Sequence, residues 1–213
     1  MEVNHESKLN FGTCGYLGLE KHPAILSGAQ EYMFKFGMQF SVSRTYIQST
    51  YSITLEETLS KLYDGLPVLT SSSTTLMHAA IIPYLIDKDD VILLDQQCHA
   101  SMQSSVLQTL SSGTKLDIIR HSDMQMLENK LKIYTSKCTK VWYFADGVYS
   151  MFGDVLPINQ LNHLLSKYEN FNLYVDDAHG MSWAGTNCVY LRRGSICNGL
   201  FKYLILQCNN CVV

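Results

Sequence analysis

Five short apolar runs, most of them closed by a polar cluster and separated by chain with helical patterning, constrain the fold of this sequence more than any other feature. They are Leu66 to Thr70, Val91-Ile92-Leu93-Leu94 ending in Asp95, Leu116 to Ile119, Lys140 to Ala145, and Phe171 to Val175 running into Asp176. Continuous apolar runs this short suit strands buried on both faces. Between them the pattern changes. Thr54 to Tyr63 puts Leu55, Leu59 and Leu62 at helical spacing, with Thr54 as N-cap and Glu57 completing a capping box, and Gly65 and Pro67 end the segment. Ser71 to Thr75 opens a helix reaching about Ile86. Met124 to Tyr134 is a helix entered through Ser122 or Asp123, and Ile158 to Tyr168 one that begins after Pro157. Strands and helices alternating in this way predict an α/β fold, a mostly parallel sheet between two helix layers.

Composition agrees with a deep interior: 46% of the 213 residues are hydrophobic and 16% charged. The formal charge of −3, with no run of like charges, gives no electrostatic basis for binding nucleic acid. No apolar run approaches the ~20 residues that span a bilayer, and Met1 to Asn10 lacks the apolar core of a secretory signal. The cysteines at 14, 98, 138, 188, 197, 208 and 211 form an odd, unpatterned set, as expected of reduced thiols in the cytoplasm. Cys208 and Cys211 make a C-x-x-C with no second pair to complete a zinc site, so no metal centre is expected.

In a parallel sheet, ligands sit beyond the carboxyl ends of the strands. The residues following the runs are Ser73-Thr74-Thr75, Cys98-His99-Ala100-Ser101, Asp146-Gly147-Val148-Tyr149-Ser150 and Asp176-Asp177-Ala178-His179-Gly180. Hydroxyls, imidazoles and carboxylates are thereby directed to one edge. Each has an ordinary structural use: Ser73 to Thr75 as helix caps, His99 near a helix start, Asp176 in a turn, Ser150 in a loop. Their joint position suggests a site but names no reaction.

The segments VDDAHG (175–180), DGVYSMFGD (146–154) and His99-Ala100-Ser101 resemble the signature segments of the α-oxoamine synthases. The likeness begins at Tyr16-Leu17-Gly18-Leu19 with His22-Pro23, and continues through Ser43-Arg44 and Leu55-Glu56-Glu57, covering roughly residues 8 to 185 in order. The resemblance implies a fold-type-I, pyridoxal-phosphate (PLP)-dependent acyltransferase that condenses a small amino acid with an acyl-CoA, as a homodimer. Asp176 is then expected to face the pyridine nitrogen and Asp177 to be structural. His99 is expected to stack on the ring, with His179 and Ser150 near the phenolic oxygen and Thr74 and Thr75 at the phosphate. His99, Asp176 and His179 are the expected catalytic set. Where Thr74 and Thr75 stand, the family usually has glycine and an aromatic residue, so these two follow from position alone.

Other departures concern the substrate mouth and the end of the chain. Gln39 to Arg44 replaces a glycine- and serine-rich stretch, and Ser52 stands where the family often has histidine. In the family the lysine that binds the cofactor lies about thirty residues past Asp176, in a Thr/Ser-x-x-Lys-Gly-like turn; here Lys202 lacks that setting. The expected organisation is an N-terminal segment and domain start (1–53), a partial PLP-binding large domain (54–185) and an atypical tail (186–213), giving a fragment of impaired or no activity. A class I/II aminotransferase and a non-catalytic partner of a lysine-bearing homologue are the alternatives. A dinucleotide-binding domain is disfavoured, since Gly12, Gly15 and Gly18 are spaced by threes and follow no strand.

Overall fold

A computed structural model describes residues 2–3, 5–10, 12–39, 41–62, 65–136, 140–180 and 203–206. Lys202 and the Cys208/Cys211 pair lie outside the described residues. The chain divides into two compact units, Met1–Thr50 with Asn209–Val213, and Tyr51–Cys208.

The first unit opens with an antiparallel pair, β1 (Glu2–Val3) and β2 (Glu6–Ser7), turned through His5 at φ 63°. Helix α1 (Pro23–Phe36) follows, and sequence patterning gave no sign of it. Pro23 is pre-set for a first turn, His22 Nδ1 accepts from Ala24 N–H, and Gly37 ends the helix at φ 84°, a conformation that favours glycine. None of its residues is buried.

The second unit holds a five-stranded parallel sheet in the order β4-β3-β5-β6-β7. Its strands are β3 (Val91–Asp95), β4 (Lys115–Ile119), β5 (Val141–Asp146), β6 (Phe171–Asp176) and β7 (Tyr203–Leu206). Helices α2 (Thr50–Leu62), α3 (Thr74–Leu85), α4 (Ala100–Thr109), α5 (Met124–Tyr134) and α6 (Ile158–Lys167) complete it. β7 adds the Tyr203-Leu204-Ile205-Leu206 segment to the sheet, with Leu206 beside Asp176. Among the described residues no helix is long and apolar enough to cross a membrane.

Side-chain alternation along the strands builds two cores. Val141, Tyr143 and Ala145 of β5 and Phe171, Leu173 and Val175 of β6 pack with Leu127 and Leu131 of α5 and Leu161, Leu164 and Leu165 of α6. Trp142, Phe144 and Tyr174 face the other way, onto Met77 and Ile82 of α3 and Met102 and Val106 of α4. Each fully buried aromatic or aliphatic side chain contributes about 1.5–3 kcal/mol. This is the expected three-layer α/β/α arrangement.

Two expectations fail, for a common reason. Residues 66–70 form no strand. Thr70 N–H and Oγ1 donate instead to Glu56 Oε1 (2.7 and 2.9 Å), and Leu66 C=O accepts from Ser60 Oγ at 2.8 Å. Side chains of α2 thus take the hydrogen bonds a neighbouring strand would have made. The same helix begins at Thr50, so Thr54 sits inside it, its carbonyl accepting from Thr58 Oγ1, and is no N-cap. Asp123 is the cap of α5, its carboxylate accepting from Met126 N–H at 2.8 Å.

Candidate active site

The chain enters the sheet at β3, moves outward to β4, and returns on the other side of β3 to form β5. The reversal leaves a crevice beyond the ends of β3 and β5, where ligands bind in sheets of this kind. His99, shortly after β3, spans it: its backbone N–H donates to both carboxylate oxygens of Asp146, the last residue of β5, at 3.3 and 3.2 Å. Asp146 pairs in register with Asp176 on β6. The two carboxylates are 5% and 6% exposed. Burial, with the negative charge of Asp176 second, pushes the Asp146 carboxyl up to about 8.

Asp176 follows Tyr174 by two, so its side chain lies on the α3/α4 face. Its Oδ1 accepts from Ala178 N–H at 3.0 Å, and its Oδ2 lies 3.4 Å from Nε2 of His78, a fully buried residue of α3. His78 Nδ1 is 3.3 Å from Ser101 Oγ, which is 2.7 Å from His99 Nδ1. His99, Ser101, His78 and Asp176 therefore form one chain of contacts. Asp177, on the opposite side of the strand, is fully buried between two glycines: a Cβ on Gly147 or on Gly180 would lie 2.1 Å from its Oδ1. This is why DGV and DDAHG carry glycine at those places.

The remaining expected residues occupy the same end of the sheet. Ser73 caps α3, accepting from Leu76 N–H at 3.2 Å, with Thr74 half-buried and Thr75 exposed in the first turn. His99 caps α4 through Nδ1 and Ser101 N–H at 3.3 Å, and its ring is exposed. His179 is half-buried in the turn after β6. Ser150 is exposed in a turn closed by Gly153 N–H to Tyr149 C=O at 2.8 Å, with Gly153 at φ 73°. Sequence reasoning missed two residues. Asp146 has no role in the resemblance, although its place beside Asp176 follows from equal strand lengths. His78 reads as part of a helix, its one signal being an imidazole in an otherwise apolar stretch.

Beyond the ends of β3 and β4 lies a separate cluster. His121 Nδ1 meets Asp95 Oδ1 at 3.0 Å and Nε2 meets Asp154 Oδ2 at 2.5 Å, with the ring edge-on to Tyr149 at 4.4 Å. Asp95, fully buried, also accepts from Gln97 N–H, Ser122 N–H and Tyr143 Oη–H, each at 2.9 Å. Among the described residues no group of three or more histidine, cysteine or acidic side chains is arranged to hold a metal ion.

The chain matches the aminotransferase class I and II family over residues 6–195. It belongs to that family. Its relatives bear out the α-oxoamine-synthase resemblance. It is 33% identical to the 8-amino-7-oxononanoate synthase of Thermoanaerobacter pseudethanolicus over 184 residues, 86% of this chain and 46% of the relative. It is 31% identical to a serine palmitoyltransferase of Bacteriovorax stolpii over 185 residues, 86% of this chain and 43% of that one. Among solved structures, serine palmitoyltransferase from S. paucimobilis with bound PLP–myriocin aldimine superimposes with a TM-score of 0.81 at 23% identity, covering 92% of this chain and 51% of that one. The 8-amino-7-oxononanoate synthase of Francisella tularensis gives 0.69 at 23% identity, covering 89% and 51%. These likenesses establish the fold, an α/β layer structure of the fold-type-I kind. The chain spans about half the length of the curated relatives it matches.

Proposed function

We propose that this chain carries the cofactor-binding part of a PLP-dependent acyltransferase of the α-oxoamine-synthase type, acting on a small amino acid and an acyl-CoA. The observation that supports this reading best is the buried carboxylate of Asp176. It stands at the tip of β6, on the face where α3 and α4 begin, and among the described residues one of its oxygens has only the 3.4 Å contact to His78 Nε2. That oxygen has acceptor capacity left for a protonated ring nitrogen, so the residues present fit the cofactor.

When bound, PLP supplies a protonated pyridine ring that withdraws electrons from the α-carbon of an amino acid. Asp176 holds the proton on the ring nitrogen, because a carboxylate beside it favours the charged form. Thr74 and Thr75, with their hydroxyls and backbone amides at the start of α3, bind the phosphate, where the helix dipole favours an anion. His99 covers one face of the ring and orients the substrate carboxylate. His179 and Ser150 hydrogen-bond at the phenolic oxygen. The reading includes a homodimer, which the family resemblance supports, and a cytoplasmic location, which the odd, unpatterned set of cysteines supports.

Titration of the purified chain with PLP, followed by absorbance and by thermal shift, tests the core of this proposal. Saturable binding with a rise in melting temperature is expected, and Asp176→Ala should weaken it by about tenfold or more, the effect of losing one charge-assisted hydrogen bond. Equal affinity in the Asp176→Ala chain, or no saturation, would overturn it.

A further inference from the structure

The chain leaving β5 makes a tight hairpin over 147–156, with Ser150 near its tip. Its base is fixed by Gly147 N–H, which donates to Asp176 C=O at 2.7 Å, and by Leu156 N–H, which donates to Gly147 C=O at 3.0 Å. Further out, Val148 and Val155 are antiparallel neighbours, Tyr149 N–H donates to Asp154 C=O at 2.9 Å, and Gly153 turns the chain at φ 73°. His121 touches both arms of this outer part. Its ring lies edge-on to Tyr149 on one arm, with centroids 4.4 Å apart, and its Nε2 meets Asp154 Oδ2 on the other at 2.5 Å. The tip itself, Ser150 to Phe152, is exposed.

The other edge of the same ring is anchored in the sheet. Nδ1 meets Oδ1 of Asp95, the fully buried last residue of β3, at 3.0 Å. Asp95 Oδ2 accepts from Ser122 N–H and from Tyr143 Oη–H, each at 2.9 Å. Ser122 adopts φ 52°, a left-handed conformation unfavourable for a residue other than glycine, and this turn seats the ring and the next amide on one carboxylate. A carboxylate accepts hydrogen bonds and does not donate them, and each ring nitrogen faces one, so both nitrogens carry hydrogen and the ring is charged. Burial lowers the basicity of His121, but hydrogen bonds to Asp95 and Asp154 raise it by more. The other ionisable groups around the ring are Tyr149 in the hairpin, Asp146 and Tyr143 from β5, and Arg120 and Asp123 on its own segment, the last two paired at 2.6 Å.

We propose that His121 is a positioning residue for Ser150: by tying the end of β3 to both arms of the hairpin, it sets where the Ser150 hydroxyl meets the phenolic oxygen of the cofactor. A neutral ring has one N–H and can serve only one of the two carboxylates, so the tie slackens when the ring loses a proton. Cofactor affinity is thereby coupled to pH through a histidine that touches no part of the cofactor. The consequence for binding rests on the PLP reading, but the tie is a property of the chain without cofactor.

The tie is tested first on the full chain without cofactor, labelled with 15N-histidine, with His121 assigned by its loss in His121→Asn. Both of its nitrogens should be protonated at pH 6, and the ring should titrate at lower pH in Asp154→Asn. A neutral ring at pH 6, or the same titration in both chains, overturns the proposal. PLP titration, at a temperature where each chain is folded, tests the action through Ser150. Ser150→Ala should weaken binding about fivefold, the effect of one lost hydrogen bond, and His121→Asn by no more than that. The His121→Asn loss should be largest near pH 6, shrink as pH rises through the raised histidine value, and disappear in the Ser150→Ala background. Asp154→Asn, which spares the buried end of the tie, should give the same pattern at smaller size and serves if His121→Asn does not fold. A loss that is the same at pH 6 and pH 9, or one that adds in full to that of Ser150→Ala, overturns the positioning role. If Asp176→Ala weakens PLP binding while His121→Asn and Asp154→Asn do not, that role fails and the cofactor reading stands. If the wild-type chain binds no PLP, the cofactor reading and its consequence here both fail, and the NMR titration still decides the tie.

Discussion

Two histidines meet aspartates at the carboxyl end of the same sheet, and their surroundings push them in opposite directions. His121 loses some basicity through burial, but hydrogen bonds to Asp95 and Asp154 outweigh that and raise it. His78 is buried completely, has one distant carboxylate contact and becomes less basic. Asp95 accepts from two backbone amides, an imidazole and a phenol. Asp176 accepts one backbone hydrogen bond at normal length. A carboxylate with all its lone pairs engaged fastens the ends of strands together. One with spare acceptor capacity is available for chemistry. The same residue types can therefore serve structure or function according to how completely they are hydrogen-bonded.

The largest expected effect comes from breaking the fastened side. Asp95→Ala strands Tyr143 Oη and the amides of Gln97 and Ser122, and should cost about 3–5 kcal/mol in urea unfolding. Asp176→Asn should cost under about 1 kcal/mol, because among the described residues it puts at risk one amide hydrogen bond and the 3.4 Å contact to His78. Equal losses would erase the distinction between the two regions.

Next in size is a pH effect at Asp146. Its folded carboxyl is raised to about 8 from an ordinary value of 3.8, so the folded chain favours the protonated form. The stability tied to that proton is whole below 3.8 and is lost as pH climbs through about 8. Asp146→Asn keeps an acceptor for His99 N–H and cannot ionise. Wild type should therefore lose stability relative to Asp146→Asn between those limits, by roughly a few kcal/mol. A flat difference in melting temperature across that range would mean that Asp146 ionises freely. A smaller, steric contrast involves Asp177. Gly147→Ala sets a methyl 2.1 Å from its Oδ1 and should cost about 2 kcal/mol. Much of that cost should disappear in an Asp177→Ala background, as a double-mutant cycle would reveal.

Elements with a buried face were readable from sequence. The runs at 91–95, 140–145 and 171–175 became strands because both faces of each are covered, the edge run at 116–119 because Leu116 and Ile119 pack into the two cores while Ile118 stays exposed, and the leucines of α5 and α6 keep helical spacing because one stripe of each packs on the sheet. Helix α1 was not readable, since none of its residues is buried and no apolar stripe had to be maintained. The 66–70 run failed in the opposite sense: its apolar content looks like a strand, but Glu56 and Ser60 of α2 take its polar groups. In the site, Asp176 and His99 could be found because they stand just after strands. His78 could not, because its partner Asp176 is distant in sequence and only the fold brings β6 against α3. A residue's position within an element is encoded locally, whereas the charge it faces is set by the tertiary packing.

The smallest effect sharpens the comparison at His121. Its folded pKa is raised, so the stability it contributes is fully present below the ordinary histidine value of 6.5 and is lost as pH rises through the higher folded value. Asp154→Asn removes one of the two carboxylates that raise it while leaving Asp95 in place. The wild-type advantage over Asp154→Asn should thus be about 1 kcal/mol near pH 6 and should shrink as pH increases. His78, with its basicity lowered, gives no such advantage at low pH: protonating it in its buried place costs stability, so His78→Gln should gain on wild type as the solution is acidified. Opposite slopes for the two histidines in urea unfolding between pH 5 and pH 8 would separate them. Parallel slopes would mean that Asp176 grips His78 as firmly as Asp95 and Asp154 grip His121, and that the site carboxylate has no acceptor capacity to spare.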